Sequence, residues 1–366
     1  MTGAGPAGLL RELVAIASPS GDEGAAADFA AARLAAAGLE VERLGHTVLA
    51  RLVRGRGPRV LFNSHLDTVP VGEGWSVPPL GNDWSEGRLY GRGANDAKAS
   101  VAAMITAFEQ LAARPADLAG ELVLALTACE ETTNTGMGAV VEHLGLDTIH
   151  AGVTGEPTGL SVVRAQVGLV VLRAEWHGRS CHAAHVARVE HDNAMLRAAA
   201  EIGACGPYLV LEPEHELLGP STIAPTVLHA GARHNVVPDH AEALFDCRLA
   251  PPHDGESARG AVAARLPGAS VSIKSERLMP IETAADHPFV LEACRAAGVE
   301  RAVGSSTLSD MALLRGVPSV KCGPGQTARS HTPDEYVLLN ELEAGLAFYR
   351  ALAPRALTAL ATTAAR

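Results

Sequence analysis

Seven side chains in this sequence are of types that could work together on a metal ion or a proton. "HLD" offers His65 and Asp67, "GRGAND" offers Asp96, "ACEE" offers Glu130 and Glu131, "TGEP" offers Glu156 and "RSHTPDE" offers His331. Taken singly, each has an ordinary explanation: a histidine after a strand bonds within its loop, an aspartate ahead of a helix caps it, and a Glu-Glu pair turns in solvent. Together they fit a sharper chemistry. Zinc takes imidazole nitrogen and carboxylate oxygen, and two zinc ions about 3.5–4 Å apart need a bridging carboxylate plus two further protein ligands each. Two histidines and three carboxylates meet that count and leave a glutamate to act as a base. Spacing alone leaves the dinuclear reading and the ordinary ones equally open.

The elements that carry these residues can be read from periodicity. In an open α/β sheet, functional residues collect where strands run out into loops. "PRVLFNSH" is almost wholly apolar and reads as a central strand ending at His65; "GELVLALTACEE" is a second buried strand ending in two acids, and "IHAGVTGEPT" a third. "AGLLRELVAIAS" predicts a helix stopping at Ser18-Pro19. "GDEGAAADFAAARLAAAG" predicts one that opens on acidic residues and ends at Gly38. "TVLARLV" reads as a strand, and "DAKASVAAMITAFEQLAAR", after Asp96, and "GMGAVVEHL" as helices. Such alternation implies an α/β sandwich with a mainly parallel sheet.

The texture changes near Arg164. From there to Arg277 the chain reads strand, helix, strand, strand, helix, strand, the order of a ferredoxin-like βαββαβ unit. The expected organisation is an inserted domain over 164–277 within a discontinuous α/β domain of 1–163 and 278–366. "HPFVLEACRAAG", "VPSVKCGPG" and "NELEAGLAFYRALA" return to the first domain with helices and a strand.

Composition narrows the partners. Over 366 residues, 47% are hydrophobic and 19% charged, enough to bury one core and room for two. A formal charge of -11, with no Lys/Arg run, argues against nucleic acid or an anionic membrane. No signal-peptide layout and no bilayer-length apolar run is visible, so a cytoplasmic location is expected. The six scattered cysteines include no C-x-x-C pair and read as small buried thiols.

Six motifs in order, "SHLDTVP", "GRGANDAKAS", "TACEETTNTGM", "TGEPT", "NVVPD" and "GPGQTARSHTPDEYV", span almost the whole chain. The set resembles the zinc aminoacylase and exopeptidase family that includes acetylornithine deacetylase, succinyl-diaminopimelate desuccinylase and carboxypeptidase G. The resemblance implies a zinc-exopeptidase-like α/β/α sandwich with an inserted ferredoxin-like lid and dimerisation domain. It implies two Zn2+, with Co2+ able to substitute. His65 and Glu156 would hold one ion, Glu131 and His331 the other, and Asp96 would bridge them. Asp67 would accept the ring N–H of His65, Glu130 would be the general base, and the peptide after the bridging aspartate, Asp96–Ala97, would be cis.

In the insert, His182 of "GRSCHAAH" would be an oxyanion donor reaching the partner's site, which implies a homodimer; His185 is equally close in the text. Asn235 and Arg248 match positions that bind the substrate carboxylate, though Arg248 lies in an alternating strand and could pair with an acid there. Gly323 of "CGPG" matches a substrate-side turn and equally suits a tight turn. The remaining histidines, His177 and His240 among them, have no comparable setting and read as surface residues.

The implied reaction is removal of an acyl group, acetyl first, from the α-nitrogen of a basic amino acid such as N-acetylornithine or N-acetyl-lysine. A desuccinylase or a metallo-dipeptidase or carboxypeptidase would share the mechanism. An inactive small-molecule binding protein would lack a ligand or the base, and none is missing here. Two departures from the family pattern bear on the substrate. Ala97 stands where Met is frequent, and Met311-Ala312 follow Ser309-Asp310 where desuccinylases often carry Gly-Arg; the second tilts the reading towards acetyl.

Overall fold

The structure is a computed structural model that describes residues 5–81, 84–114 and 119–364. It divides into two compact units, one of Met1–Arg164, Glu282–Gly304 and Ser309–Arg366, the other of Ala165–Ile281 with Ser305–Leu308. The short return of 305–308 to the second unit lies outside the 164–277 span read from the sequence.

In the first unit the sheet runs Glu40–Leu44, Thr47–Arg54, Gly120–Thr127, Arg59–His65, Ala151–Thr154, Ser319–Lys321. The last four are mutually parallel; Thr47–Arg54 is antiparallel to both its neighbours, Glu40–Leu44 and Gly120–Thr127. The expectation of a mainly parallel sheet therefore holds for its centre and fails at this edge. The cause is local: Leu44 pairs with Thr47 across a two-residue turn with Gly45 at φ +62°, and so short a connection can only join antiparallel neighbours.

Helices cover the sheet as its apolar strands demand. Lys98–Ala112 is buried along most of its length, and Phe62 of the central strand meets Phe108 edge-on at 5.5 Å and Tyr349 at 6.3 Å. The C-terminal helix Leu339–Ala364 runs through Pro354, beyond the predicted segment. An interior proline costs about 3 kcal/mol. Apolar side chains on both sides of it, Tyr349 and Leu352 before and Leu357 and Leu360 after, sit in the same core and offset that cost.

The second unit is a five-stranded antiparallel sheet in the order Leu209–His215, Gly219–Ala230, His240–Leu249, Gly168–His177, Ser270–Leu278. Along Gly168–His177 every second residue is buried, ending at Trp176, whose indole N–H donates to Glu201 at 3.0 Å. Helices Ala194–Ala204 and Gly255–Arg265 close that face, the second opened by a reciprocal Asp254–Ser257 cap. Four strands and two helices follow the expected βαββαβ order. The fifth, Leu209–His215, was not expected: Pro213 and a register shift between Leu211 and His215 disguise its alternation.

All six cysteines are free, with Cys205, Cys247, Cys294 and Cys322 buried. Among the described residues no helix is long and apolar enough to cross a membrane.

Candidate metal centre

Strand register brings the acidic and imidazole residues to one edge. His65 lies opposite Thr127, and Asn63 opposite both Ala125 and Thr154, so three parallel strands end level. The chain beyond each end supplies His65 and Asp67, then Glu130 and Glu131, then Glu156. Cross-bonds fix these exits: Leu66 N–H donates to Thr127 O at 2.8 Å, Gly155 N–H to Asn63 O at 2.7 Å, and Ser64 Oγ to Gly155 O at 2.8 Å.

Two donor sets result. His65, Asp96 and Glu156 each offer one ligand atom within 4.8 Å of the others, and so do Asp96, Glu131 and His331. Asp96 belongs to both. His65 Nε2 lies 3.2 Å from Asp96 Oδ1; His331 Nε2 lies 2.9 Å from Glu131 Oε1 and 3.7 Å from Asp96 Oδ2. Donors at about 2.1 Å from a tetrahedral ion sit about 3.4 Å apart, so these spacings are those of ligands round an ion. The Asp96–Ala97 peptide is cis.

Asp67 does more than the resemblance implies. The nearer acceptor for His65 Nδ1 is the main-chain carbonyl of Asp67, at 2.9 Å, while its carboxylate Oδ1 is 3.5 Å away. That carboxylate also accepts from Glu130 N–H at 3.0 Å, Glu131 N–H at 3.1 Å and Ser20 Oγ at 2.7 Å. Asp67 thus clamps the turn that presents both glutamates. Burial opposes its charge, but the His65 ring and these donors hold its carboxyl down to about 2.

The same turn needs Cys129 at φ +56°, uncommon for a residue with a side chain. Its N–H donates to Glu23 Oε1 at 3.0 Å and its carbonyl accepts from Asn134 N–H at 2.6 Å. Glu23, expected to serve the start of helix Gly24–Ala36, is buried here against the turn, with His46 Nδ1 2.9 Å from its second oxygen.

Three further acids escaped the sequence reading in this setting, Glu23 being one. Glu335, in the quoted "PDEYV", is buried and accepts from both Asn95 and Asp96 N–H at 2.9 Å while Arg92 donates to its other oxygen at 2.6 Å. It sets the backbone of the bridging aspartate. Asp310 is buried and accepts from Thr127 Oγ at 2.7 Å, Asn134 Nδ2 at 3.0 Å and Asn63 Nδ2 at 3.3 Å, tying together three segments that carry the centre. A Ser-Asp between hydrophobic stretches signals a helix cap; only the fold shows what the acid touches.

The electrostatics of this edge call for a cation. Glu130 keeps partial access to solvent, yet desolvation and the neighbouring Glu156 push its carboxyl well above the ordinary range. Burial chiefly, with Asp96 adding, pushes Glu156 up to about 8. Lys321, buried at the end of the adjacent parallel strand, is the nearby amine, and burial pulls it below its usual value. Clustered carboxylates repel in a low dielectric, and bound divalent ions offset that repulsion. Donor types, spacing and charge all fit a pair of such ions.

The remaining named residues fall elsewhere. Gly323 is buried: a Cβ there would meet Ser100 Oγ at 2.5 Å, Glu156 O at 2.7 Å and Tyr349 Oη at 2.7 Å, so close packing by itself requires a glycine here. His182 and Asn235 are neighbours in the second unit, where Ala183 N–H donates to Asn235 O at 2.9 Å and His182 bridges Val236. Arg248 is engaged by Asp246 on its own strand, at 2.7 and 3.2 Å, the surface pairing left open above.

Residues 61–355 match the model of Peptidase family M20/M25/M40. Curated relatives include the succinyl-diaminopimelate desuccinylase of Aromatoleum aromaticum, 32% identical with 66% of each chain covered, and that of Paracoccus denitrificans, 30% identical with 74% of each covered. The matched stretch is thus about two thirds to three quarters of those enzymes' own length. Among solved structures, a Bacillus subtilis protein described as a dinuclear metal binding peptidase from M20 family superposes with a TM-score of 0.74 at 19% identity, covering 96% of this chain and 98% of that one. Aminopeptidase PepT of Bacillus cereus superposes at 0.71, 19% identical over 94% and 96%.

Proposed function

Because the chain belongs to peptidase family M20/M25/M40 and is a metal-dependent amide hydrolase, we propose that it cleaves the linear amide of an N-acylated amino acid, with succinyl favoured over acetyl as the acyl group. The observation that carries the reaction is the pair of donor sets sharing Asp96, with the Glu130 turn clamped beside them. The succinyl preference rests on the curated relatives being succinyl-diaminopimelate desuccinylases. It reverses the acetyl reading drawn from Met311 and Ala312. Both side chains are buried and apolar and offer no basic group to a second carboxylate, which keeps acetylornithine- or acetyl-lysine-type substrates as the second reading.

His65, Glu156 and Asp96 would hold one ion and Glu131, His331 and Asp96 the other, with zinc the proposed metal and cobalt its substitute. When bound, such a pair supplies Lewis acidity towards water and the amide carbonyl. Glu130 then takes the proton of the attacking water, whose oxygen bonds to the carbonyl carbon. As the C–N bond breaks, Glu130 delivers that proton to the departing amine, leaving a carboxylic acid and a free amino acid. Asp67 keeps Glu130 and Glu131 in register through their main-chain N–H groups, and Glu335 does the same for Asp96.

The test is turnover of the zinc- or cobalt-loaded enzyme against matched N-succinyl and N-acetyl amino acids and dipeptides. A kcat/KM at least tenfold higher for succinyl substrates is expected. Preference for acetyl substrates would move the assignment to the second reading, and hydrolysis of none of them would remove the proposal.

A further inference from the structure

We infer that the inserted unit carries a divalent-cation site of its own, formed by Glu175, His177 and His240 on the outer face of its sheet. The placement follows from the pleat. Ala174, Trp176, Ala241 and Ala243 point into the core beneath the two helices, so the residues alternating with them point to the opposite face. On that face His177 stands directly across from His240, and Glu175 across from Glu242. Ten consecutive pairs, from His240 with His177 to Leu249 with Gly168, hold this register without a shift, so the three positions are rigid.

The geometry is that of a ligand set. The two imidazole centroids lie 5.2 Å apart with planes tilted by 42°, and His240 Nε2 is 3.5 Å from Glu175 Oε1. One donor atom from each of the three residues lies within 4.8 Å of the other two. Ligand atoms on a tetrahedral ion are separated by about 3.4 Å, so His240 and Glu175 already have that spacing and His177 reaches it by a small side-chain rotation.

Charge points the same way. Glu175 and Glu242 face each other across adjacent strands, an unfavourable pairing of like charges. Arg173 lies 3.2 Å from Glu242, whereas the groups gathered about Glu175 are the two imidazoles. A cation bound by all three balances that carboxylate.

Two imidazole nitrogens and one carboxylate oxygen select a borderline first-row ion such as Zn2+, Co2+ or Ni2+ over Mg2+ or Ca2+. Three protein ligands leave a coordination position free. His240 and Glu242 also line an open cavity of about 480 Å³, with His229, Arg233 and Val236, from which water or a small anion can fill that position. None of these residues belongs to the Asp96 centre, so the site is separate from the one proposed to do catalysis.

The experiment uses the full chain, stripped with chelator and dialysed to equilibrium against Zn2+, with bound metal measured by elemental analysis. Wild type is compared with His177→Ala/His240→Ala, and Asp96→Ala is compared with the same double change added to it. The double change is expected to remove one equivalent of zinc in both backgrounds, which separates this site from the catalytic centre. Equal uptake with and without the double change, in either background, overturns the inference. If the double variant does not melt cooperatively, Glu175→Gln is measured instead. It should weaken the site by about tenfold or more, since even partners that only orient a ligand are worth that much; unchanged zinc affinity in that variant also overturns the inference.

Discussion

Glu130 and Asp96 carry different duties, and substitution separates them. Glu130→Ala removes the proton carrier and leaves both donor sets intact, so bound zinc should persist while kcat falls by about 10²–10⁴-fold. Asp96→Ala removes the only residue common to the two sets, so the purified variant should lose metal along with turnover. Elemental analysis beside a single-substrate assay reads both, and full metal content in Asp96→Ala would remove its bridging role. Glu335 acts one step back. Its replacement by Ala strands the buried Arg92 and frees the Asn95 and Asp96 N–H groups, costing about 3–5 kcal/mol in a urea melt and weakening zinc binding. Glu335→Gln keeps an acceptor for the N–H groups and should recover part of both; identical behaviour of the two variants would refute this role. The ligands themselves were legible because a His-x-Asp or Glu-Glu at a strand end is visible in one line of text. Glu335 and Asp310 were not, since their meaning lies in main-chain and amide donors from segments up to 247 positions away.

Elements were legible where one period dominated. The buried strands and amphipathic helices of the first unit announce themselves. The antiparallel hairpin at its edge does not, because apolar strands look alike whichever way they run, and only the Gly45 turn tells direction. Helix Pro288–Ala297 shows how a cap adds a pH response. His287 Nδ1 accepts from Phe289 N–H at 3.2 Å, which needs the neutral ring, and burial holds its imidazole below the ordinary value although Asp286 opposes this. A histidine depressed in this way contributes stability that is fully present above the unfolded value near 6.5 and is lost as pH falls below it towards the lower folded value. Protonation would also set a positive charge at the positive end of the helix. His287→Asn keeps a capping acceptor that does not titrate. Its melting temperature should gain on wild type between pH 8 and pH 5, and a gap that stays constant over that range would sink this account.

At the scale of the molecule, the change of texture near Arg164 was enough to find an inserted unit, while its edge strand Leu209–His215 was hidden by Pro213. That strand ends the sheet, and Tyr208 and Val210 at its start are 55% and 45% exposed, an apolar surface suited to a second copy of the chain. In the homodimer that the family resemblance implies, His182 would reach the partner's centre, and mixed dimers test this. A chain with His182→Ala keeps Glu130, and a chain with Glu130→Ala keeps His182; each alone should be inactive. If His182 works across the interface, co-refolding the two should restore about a quarter of wild-type turnover, because half of a random mixture is heterodimer and each heterodimer has one complete centre of two. If His182 serves its own chain, every centre in the mixture lacks one group and no activity returns. Recovery that disappears on dilution to monomer, as sedimentation would show, ties the rescue to the interface itself.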